Sequence, residues 1–133
     1  MTATTPNDSR FFVVDSSGWL EYLAGGTKAD QFGAYLESPE NVLLPSIIVY
    51  EVYKKLFREA GKELAEIFLS QAYGFHERLI DLDLELCLLA ARTSLEAQLA
   101  MADAIIYATA HRHRAKLVTS DAHFSNLPGV ILI

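Results

Sequence analysis

The sequence predicts an α/β fold with a central, mainly parallel sheet of about five strands. Three observations favour it. Short apolar runs recur along the chain, longer segments with helical periodicity separate them, and no linker is long enough to divide the 133 residues. Strands that alternate with helices are typical of βαβ units, in which the strands run parallel. We therefore expect residues 11–133 to form one domain, preceded by a flexible tail at 1–10.

The first strand and helix are predicted from a short apolar run and the segment after it. The run RFFVV at 10–14 carries four consecutive apolar residues, as expected of a strand that is covered on both faces. The segment SSGWLEYLAGG then predicts a short helix. Its N-cap is expected to be a hydroxyl, from Ser16 or Ser17, and Gly25-Gly26 is expected to end it.

The next elements again alternate helix and strand. The segment ADQFGAYLES at 29–38 predicts a helix that stops before Pro39, and NVLLP at 41–45 predicts the second strand. An amphipathic pattern predicts a helix over 46–60, closed by Gly61.

The second half of the chain repeats this alternation. The segment at 63–75 predicts another helix, and RLIDLD at 78–83 predicts the third strand. Helical sequence fills 84–114, with an expected break near Leu99–Ala100. The last two predicted strands are KLVTSD at 116–121 and GVILI at 129–133.

Composition limits the class of protein. The single cysteine, Cys87, excludes a disulfide framework, which fits a reducing cytoplasm, and we expect its side chain to be buried. No apolar run approaches the roughly 18 residues that span a bilayer, and the polar N-terminus lacks the apolar core of a signal peptide. The formal net charge of −6 does not by itself indicate a nucleic-acid-binding protein, because such proteins usually carry a basic surface.

Isolated carboxylates stand where a parallel sheet places its ligands. Asp15 follows the first predicted strand and Asp121 ends the fourth, and ligands of such sheets bind beyond the carboxyl ends of the strands. Asp103 is the single charge in LAMADAIIYATA and has no Lys or Arg three or four residues away. It therefore needs a partner from elsewhere in the chain or a bound cation, unless a neighbouring backbone group or hydroxyl satisfies it in the core.

Glu51 has two interpretations. It points away from the apolar face of its predicted helix, so an exposed Glu51–Lys55 pair is slightly favoured by helical geometry alone. The other interpretation places it at the same rim as the aspartates, since it falls about one and a half turns after the predicted helix start at Ser46.

A cluster of Asp and Glu is suited to Mg²⁺ or Mn²⁺, which prefer oxygen ligands. Such an ion can lower the pKa of a bound water and neutralise charge during displacement at phosphorus. Basic residues at 53–58, Lys62 and 111–116 could hold a phosphate backbone or could simply be solvated helix faces.

Four segments in order resemble the motifs of PIN-domain ribonucleases, in particular the VapC toxins of VapBC toxin–antitoxin pairs. The resemblance covers about 11–133, but Ala100 stands where the family often has a Ser or Thr cap, and Ser16-Ser17 where Thr-Ser is common. The segments are FVVDSSGWLEYL, LPSIIVYEVYKKL, AMADAIIYATA and LVTSDAHFSNLPGVILI.

The resemblance implies a three-layer α/β/α sandwich and an endoribonuclease that hydrolyses phosphodiester bonds in structured RNA such as tRNA or rRNA. It implies that Ser17 and Thr119 lie beside the cluster, which binds one or two Mg²⁺ or Mn²⁺ ions. It also implies a cytoplasmic homodimer that is silenced by a VapB-type antitoxin, which carries the DNA-binding function of the pair. The implied catalytic and metal-binding residues are Asp15, Glu51, Asp103 and Asp121.

Other residues could suggest other chemistry. His111 and His113 diverge on a helix and do not favour metal-independent cleavage, while His123 could contact substrate or be a solvated loop residue. Asp83 is expected to be a helix N-cap. Trp19 and Tyr53 could stack on bases but are expected in the core.

The sequence is also compared with three alternative functions. A phosphoacceptor receiver domain also clusters acids after parallel strands, but it needs a Lys after a late strand, and none follows Leu117. A PIN-like module that binds partners without cleaving RNA is disfavoured by the presence of all four acids. A PIN nuclease of housekeeping RNA processing is not distinguished from a toxin by the sequence.

Overall fold

A computed structural model describes residues 10–133 of the chain, so nearly all of the predicted tail at 1–10 lies outside the described residues. The described residues form a five-stranded parallel sheet with the order β3-β2-β1-β4-β5. Helices cover the sheet in a three-layer α/β/α sandwich, and the predicted fold class is confirmed. The strands are β1 (Phe12–Val14), β2 (Val42–Pro45), β3 (Leu79–Ile80), β4 (Lys116–Thr119) and β5 (Val130–Leu132).

Six α-helices and three short 3₁₀ turns connect the strands within this part of the chain. The 3₁₀ turns span Pro39–Asn41, His76–Arg78 and Ala122–Phe124. The helices are α1 (Ser16–Ala24), α2 (Ala29–Leu36), α3 (Ser46–Glu59), α4 (Lys62–Tyr73), α5 (Leu84–Ala97) and α6 (Met101–Arg112).

The central strands form the middle of the hydrophobic core. Val13, Val14 and Leu117 are fully buried, because β1 and β4 are covered on both faces. Trp19 packs edge-on against Phe68, which confirms that this ring belongs to the core. A smaller cluster joins α5 to α6 and contains Leu86, Ala90, Ile105 and Ala108.

The glycine in the first turn of α1 allows this helix to lie directly on β1 and α2. A Cβ atom at Gly18 would lie 2.6 Å from the Phe32 ring and 2.7 Å from Cγ1 of Val14. These contacts are shorter than carbon atoms tolerate, so a side chain at this position would push α1 outward. Gly18 therefore fixes where the first turn of α1 lies relative to the end of β1.

Three local predictions differ from the structure. The N-cap of α1 is Asp15 and not a serine hydroxyl, since its carboxylate accepts a hydrogen bond from Ser16 N–H. β3 is only two residues long, whereas the sequence predicts a strand over 78–83. Its shortness leaves Asp83 free to be the N-cap of α5, which is the role predicted for this residue. Cys87 is exposed, because α5 buries only a narrow face.

The predicted break before α6 is confirmed. α5 ends at a left-handed Gln98, and α6 starts after Ala100, which has extended backbone dihedrals and provides no side-chain cap. None of the helices at 10–133 is long and apolar enough to cross a membrane.

We expect Ala100→Ser to stabilise the protein. Ala100 is exposed and its backbone already has an N-cap conformation, so a serine oxygen can accept a hydrogen bond from the uncapped first turn of α6. Such a cap contributes about 1 kcal/mol to the free energy of unfolding. Urea denaturation measures the gain, and Ala100→Val, which offers no acceptor, should give none. Equal stability of the serine and valine variants would contradict this explanation.

Candidate active site

Asp15 lies at the junction of β1 and α1 and is almost completely buried. One carboxylate oxygen, Oδ1, accepts a hydrogen bond from Ser16 N–H at 2.8 Å. The other, Oδ2, accepts hydrogen bonds from the hydroxyls of Thr119, at 2.8 Å, and Ser17, at 3.5 Å. The carboxylate is therefore held in one orientation by three donors at the carboxyl edge of the sheet.

Thr119 connects the carboxylates that follow the two neighbouring strands. It is the last residue of β4, is fully buried, and donates its hydroxyl hydrogen to Asp15. Its oxygen accepts a hydrogen bond from Asp121 N–H at 3.0 Å. One hydroxyl thus fixes the Asp15 side chain relative to the backbone of Asp121.

Asp103 and Asp121 lie together at the same rim. Asp103 is in the first turn of α6, where the partial positive charge of the helix N-terminus favours a carboxylate. Oδ1 of Asp121 accepts a hydrogen bond from His123 N–H at 2.9 Å and lies 3.1 Å from Nδ1 of the same residue. One ligand atom from each of Asp103, Asp121 and His123 lies within 4.8 Å of the other two.

Glu51 lies in the second turn of α3 and faces this rim. Its Oε1 atom is buried and accepts no hydrogen bond from any described residue. The exposed Glu51–Lys55 ion pair favoured by helical geometry is not found in this part of the chain. A buried carboxylate oxygen without a donor is costly unless a ligand satisfies it.

Burial and mutual repulsion raise the pKa values of three of these acids. Burial is the main cause for Asp15, Glu51 and Asp103 alike. Neighbouring carboxylates raise the pKa values further: Asp121 acts on Asp15, and Asp15 acts on both Glu51 and Asp103. The Thr119 hydroxyl partly offsets the rise at Asp15, and the Ser16 hydroxyl does so at Glu51.

These groups fit a hard divalent cation. No Lys or Arg among residues 10–133 forms an ion pair with any of the four acids, and in this part of the chain the only basic residue paired with one of them is His123, which contacts Asp121. Oxygen donors converge there, one of them without a partner, which is the donor chemistry that Mg²⁺ and Mn²⁺ require.

Two residues beside the cluster were not predicted as parts of the site. The sequence predicts His123 only as a substrate contact or a solvated side chain, yet it contacts Asp121, and its position two residues after this acid is the signal for that contact. The sequence predicts Ser16 as a possible helix cap, and its hydroxyl instead lies near Glu51. The basic cluster at 111–116 lies at the start of β4, at the opposite end of the sheet.

We expect Thr119→Val to destabilise the protein and to weaken binding of Mn²⁺. Valine keeps the shape but leaves Oδ2 of Asp15 and N–H of Asp121 without this partner, at a cost of about 1–3 kcal/mol. Thr119→Ser retains the hydroxyl and should retain most of the affinity for Mn²⁺. Calorimetric titration distinguishes them, and equal Mn²⁺ affinities for the two variants would exclude a role for the hydroxyl.

Comparison with known proteins agrees with this architecture. A family model described as PIN domain matches residues 12–130. No curated protein has a matching sequence.

Several solved structures share the fold. They include a toxin-antitoxin complex from Klebsiella pneumoniae, with 24% identity, coverage of 90% of this chain and 94% of that one, and a TM-score of 0.72. VapBC2 from Rickettsia felis bound to a promoter DNA fragment has 20% identity, coverage of 92% and 97%, and a TM-score of 0.70. FitAcB from Neisseria gonorrhoeae has 20% identity, coverage of 91% and 96%, and a TM-score of 0.72. Because the family match spans almost the whole chain, this protein belongs to the PIN-domain family, whose members are nucleases.

Proposed function

We propose that the protein is a metal-dependent endoribonuclease and the toxin of a type II toxin–antitoxin pair. The observation that supports this most strongly is the convergence of four carboxylates, without a Lys or Arg partner among the described residues, at the carboxyl edge of a parallel sheet. They are Asp15, Glu51, Asp103 and Asp121. Such an arrangement is unfavourable for folding by itself, which indicates selection for binding a cation.

The four acids have different roles in this proposal. Asp15, Asp103 and Asp121 hold one or two Mg²⁺ or Mn²⁺ ions, with Asp15 oriented by Thr119 and Ser17. Glu51 acts as a further ligand or orients the attacking water through its free Oε1. When bound, the ion activates water and neutralises charge on the phosphoryl group and on the departing 3′ oxygen.

The proposed partners follow from the similar structures. The Klebsiella structure is a toxin-antitoxin complex, and the Rickettsia structure is VapBC2 bound to a DNA fragment from its promoter. We propose that this chain likewise binds a VapB-type antitoxin, that contact with DNA is made through the antitoxin, and that the toxin is a cytoplasmic homodimer. Structured RNA such as tRNA or rRNA is the proposed substrate.

Induced expression with mapping of RNA ends tests the function. We expect growth arrest together with new 5′ ends at few positions, and neither effect from the Asp15→Asn variant. Growth arrest without new RNA ends would contradict the nuclease. New RNA ends without growth arrest would contradict the proposed role as a toxin and favour a role in housekeeping RNA processing.

A further inference from the structure

A groove with basic side chains begins at the acidic cluster and follows the outer side of α3. We call it the basic groove; it is open to solvent and has a volume of about 330 Å³. Ser16, Ser17 and Glu51 line the end of the groove that it shares with the cluster. The rest of its polar lining is Tyr50, Lys54, Lys55 and Arg58.

The charges of the basic groove are available to a ligand. Lys54, Lys55 and Arg58 are all exposed, and the ion pair between Arg58 and Glu59 is solvent-exposed on both sides and therefore weak. These three neighbouring cations form a positively charged surface on a chain whose net charge is −6. Positive charge beside a cluster of carboxylates is suited to a polyanion that must approach them.

Tyr50 adds an aromatic surface to this row. Its side chain is 58% exposed, and it does not belong to either hydrophobic cluster. Lys54 Nζ lies 3.3 Å from the Tyr50 hydroxyl and 5.4 Å from the ring centroid. An exposed ring beside a lysine can stack on a base while the ammonium group binds the adjacent phosphate.

The row has a direction. α3 rises about 1.5 Å per residue, so Arg58 lies about 10 Å farther along the helix axis than Glu51. The three cations therefore extend away from the cluster in one direction along α3. Lys54 and Lys55 lie between Glu51 and Arg58. The other basic cluster, which includes Arg114 and Lys116, lies at the opposite end of the sheet and cannot serve the same strand near its cleavage point.

We propose that the basic groove holds the RNA strand on one side of the scissile phosphate. Tyr50 stacks on an unpaired base, and Lys54, Lys55 and Arg58 contact successive phosphates. This inference rests on the proposed ribonuclease function and adds that the substrate is single-stranded at this flank, because a paired base cannot expose its face to a tyrosine ring.

Binding of RNA without cleavage tests the groove. Fluorescence anisotropy of a labelled 12-nucleotide single-stranded RNA is measured with the full chain in EDTA. We expect Lys54→Gln/Lys55→Gln to weaken binding about tenfold and to reduce the slope of log K against log salt by about 1.4, corresponding to two lost phosphate contacts. We expect Tyr50→Leu to weaken binding about tenfold, whereas Tyr50→Phe retains stacking and affinity.

The matched control is Arg114→Gln/Lys116→Gln, which removes the same charge at the other end of the sheet. Unchanged RNA affinity in the groove variants, or an equal loss in the control, would overturn the proposal, as would tighter binding of a duplex of the same sequence. If the groove variants instead lost only the binding of an acidic protein partner, the groove would be a protein interface. If the groove variants lose RNA binding but the parent does not cleave RNA with Mg²⁺, the ribonuclease function would be refuted and the RNA-binding role of the groove would stand.

Discussion

Replacing Asp103 by asparagine is expected to reduce Mg²⁺-dependent RNA cleavage about a thousandfold or more. Asparagine has nearly the same shape as aspartate but carries no charge, so the cluster loses the carboxylate that α6 contributes to it. Stabilisation of phosphoryl charge by a bound ion is worth several kcal/mol, and each 1.4 kcal/mol corresponds to a factor of ten in rate. Initial rates on a labelled RNA at saturating Mg²⁺ measure the loss.

The matched control for this experiment is Asp81→Asn. Asp81 is an exposed aspartate between β3 and α5, outside the cluster, so its replacement should leave the rate within about twofold of the parental value. Asp15→Asn should behave like Asp103→Asn. Cleavage by the Asp103→Asn protein at the parental rate would refute the proposed mechanism.

The same replacement is expected to stabilise the protein when no divalent ion is present. The pKa of Asp103 is raised by burial and by Asp15 and Asp121, so the ionised form is disfavoured in the folded state. A raised pKa means that the folded chain holds this proton at pH values where the unfolded chain has lost it. Stability therefore falls as the pH rises from the unfolded value of about 4 through the folded pKa, and it stays lower at neutral pH.

Thermal unfolding at several pH values, with and without Mn²⁺, measures this effect. In EDTA at pH 7, Asp103→Asn should unfold at a higher temperature than the parent, and the difference should shrink as the pH falls toward 4. Mn²⁺ should reverse the order, because it stabilises only the parent, by about 2.7 kcal/mol at one hundred times its Kd. A parent that is more stable than the variant in EDTA at pH 7 would contradict the electrostatic argument.

The sequence was sufficient to predict the parallel sheet and the acids that follow its strands. Asp15 and Asp121 follow β1 and β4, two adjacent strands, so the rule that parallel strands end at one edge places them together. The lone charge in an apolar helix indicated that Asp103 needs an outside partner. All these inferences depend only on the order of strands, helices and acidic residues along the chain, which can be read from the sequence.

Packing between elements was not predictable in the same way. Helical geometry left Glu51 on a polar face beside Lys55, and only the packing of α1 against α3 turns its carboxylate toward Asp15. The same limit explains Cys87: its apolar neighbours suggested burial, but only one narrow face of α5 contacts α6. His123 meets Asp121 because a 3₁₀ turn follows β4, and the sequence predicted only a loop there.

The most direct test of the account is the position of a bound ion. Anomalous diffraction at the manganese edge from crystals grown with Mn²⁺ locates it without relying on activity. We expect a peak in coordination contact with Asp15, Asp103 and Asp121 in the parent and no such peak in Asp103→Asn. Fully ordered carboxylates with no peak at this rim, or an undiminished peak in the variant, would contradict it.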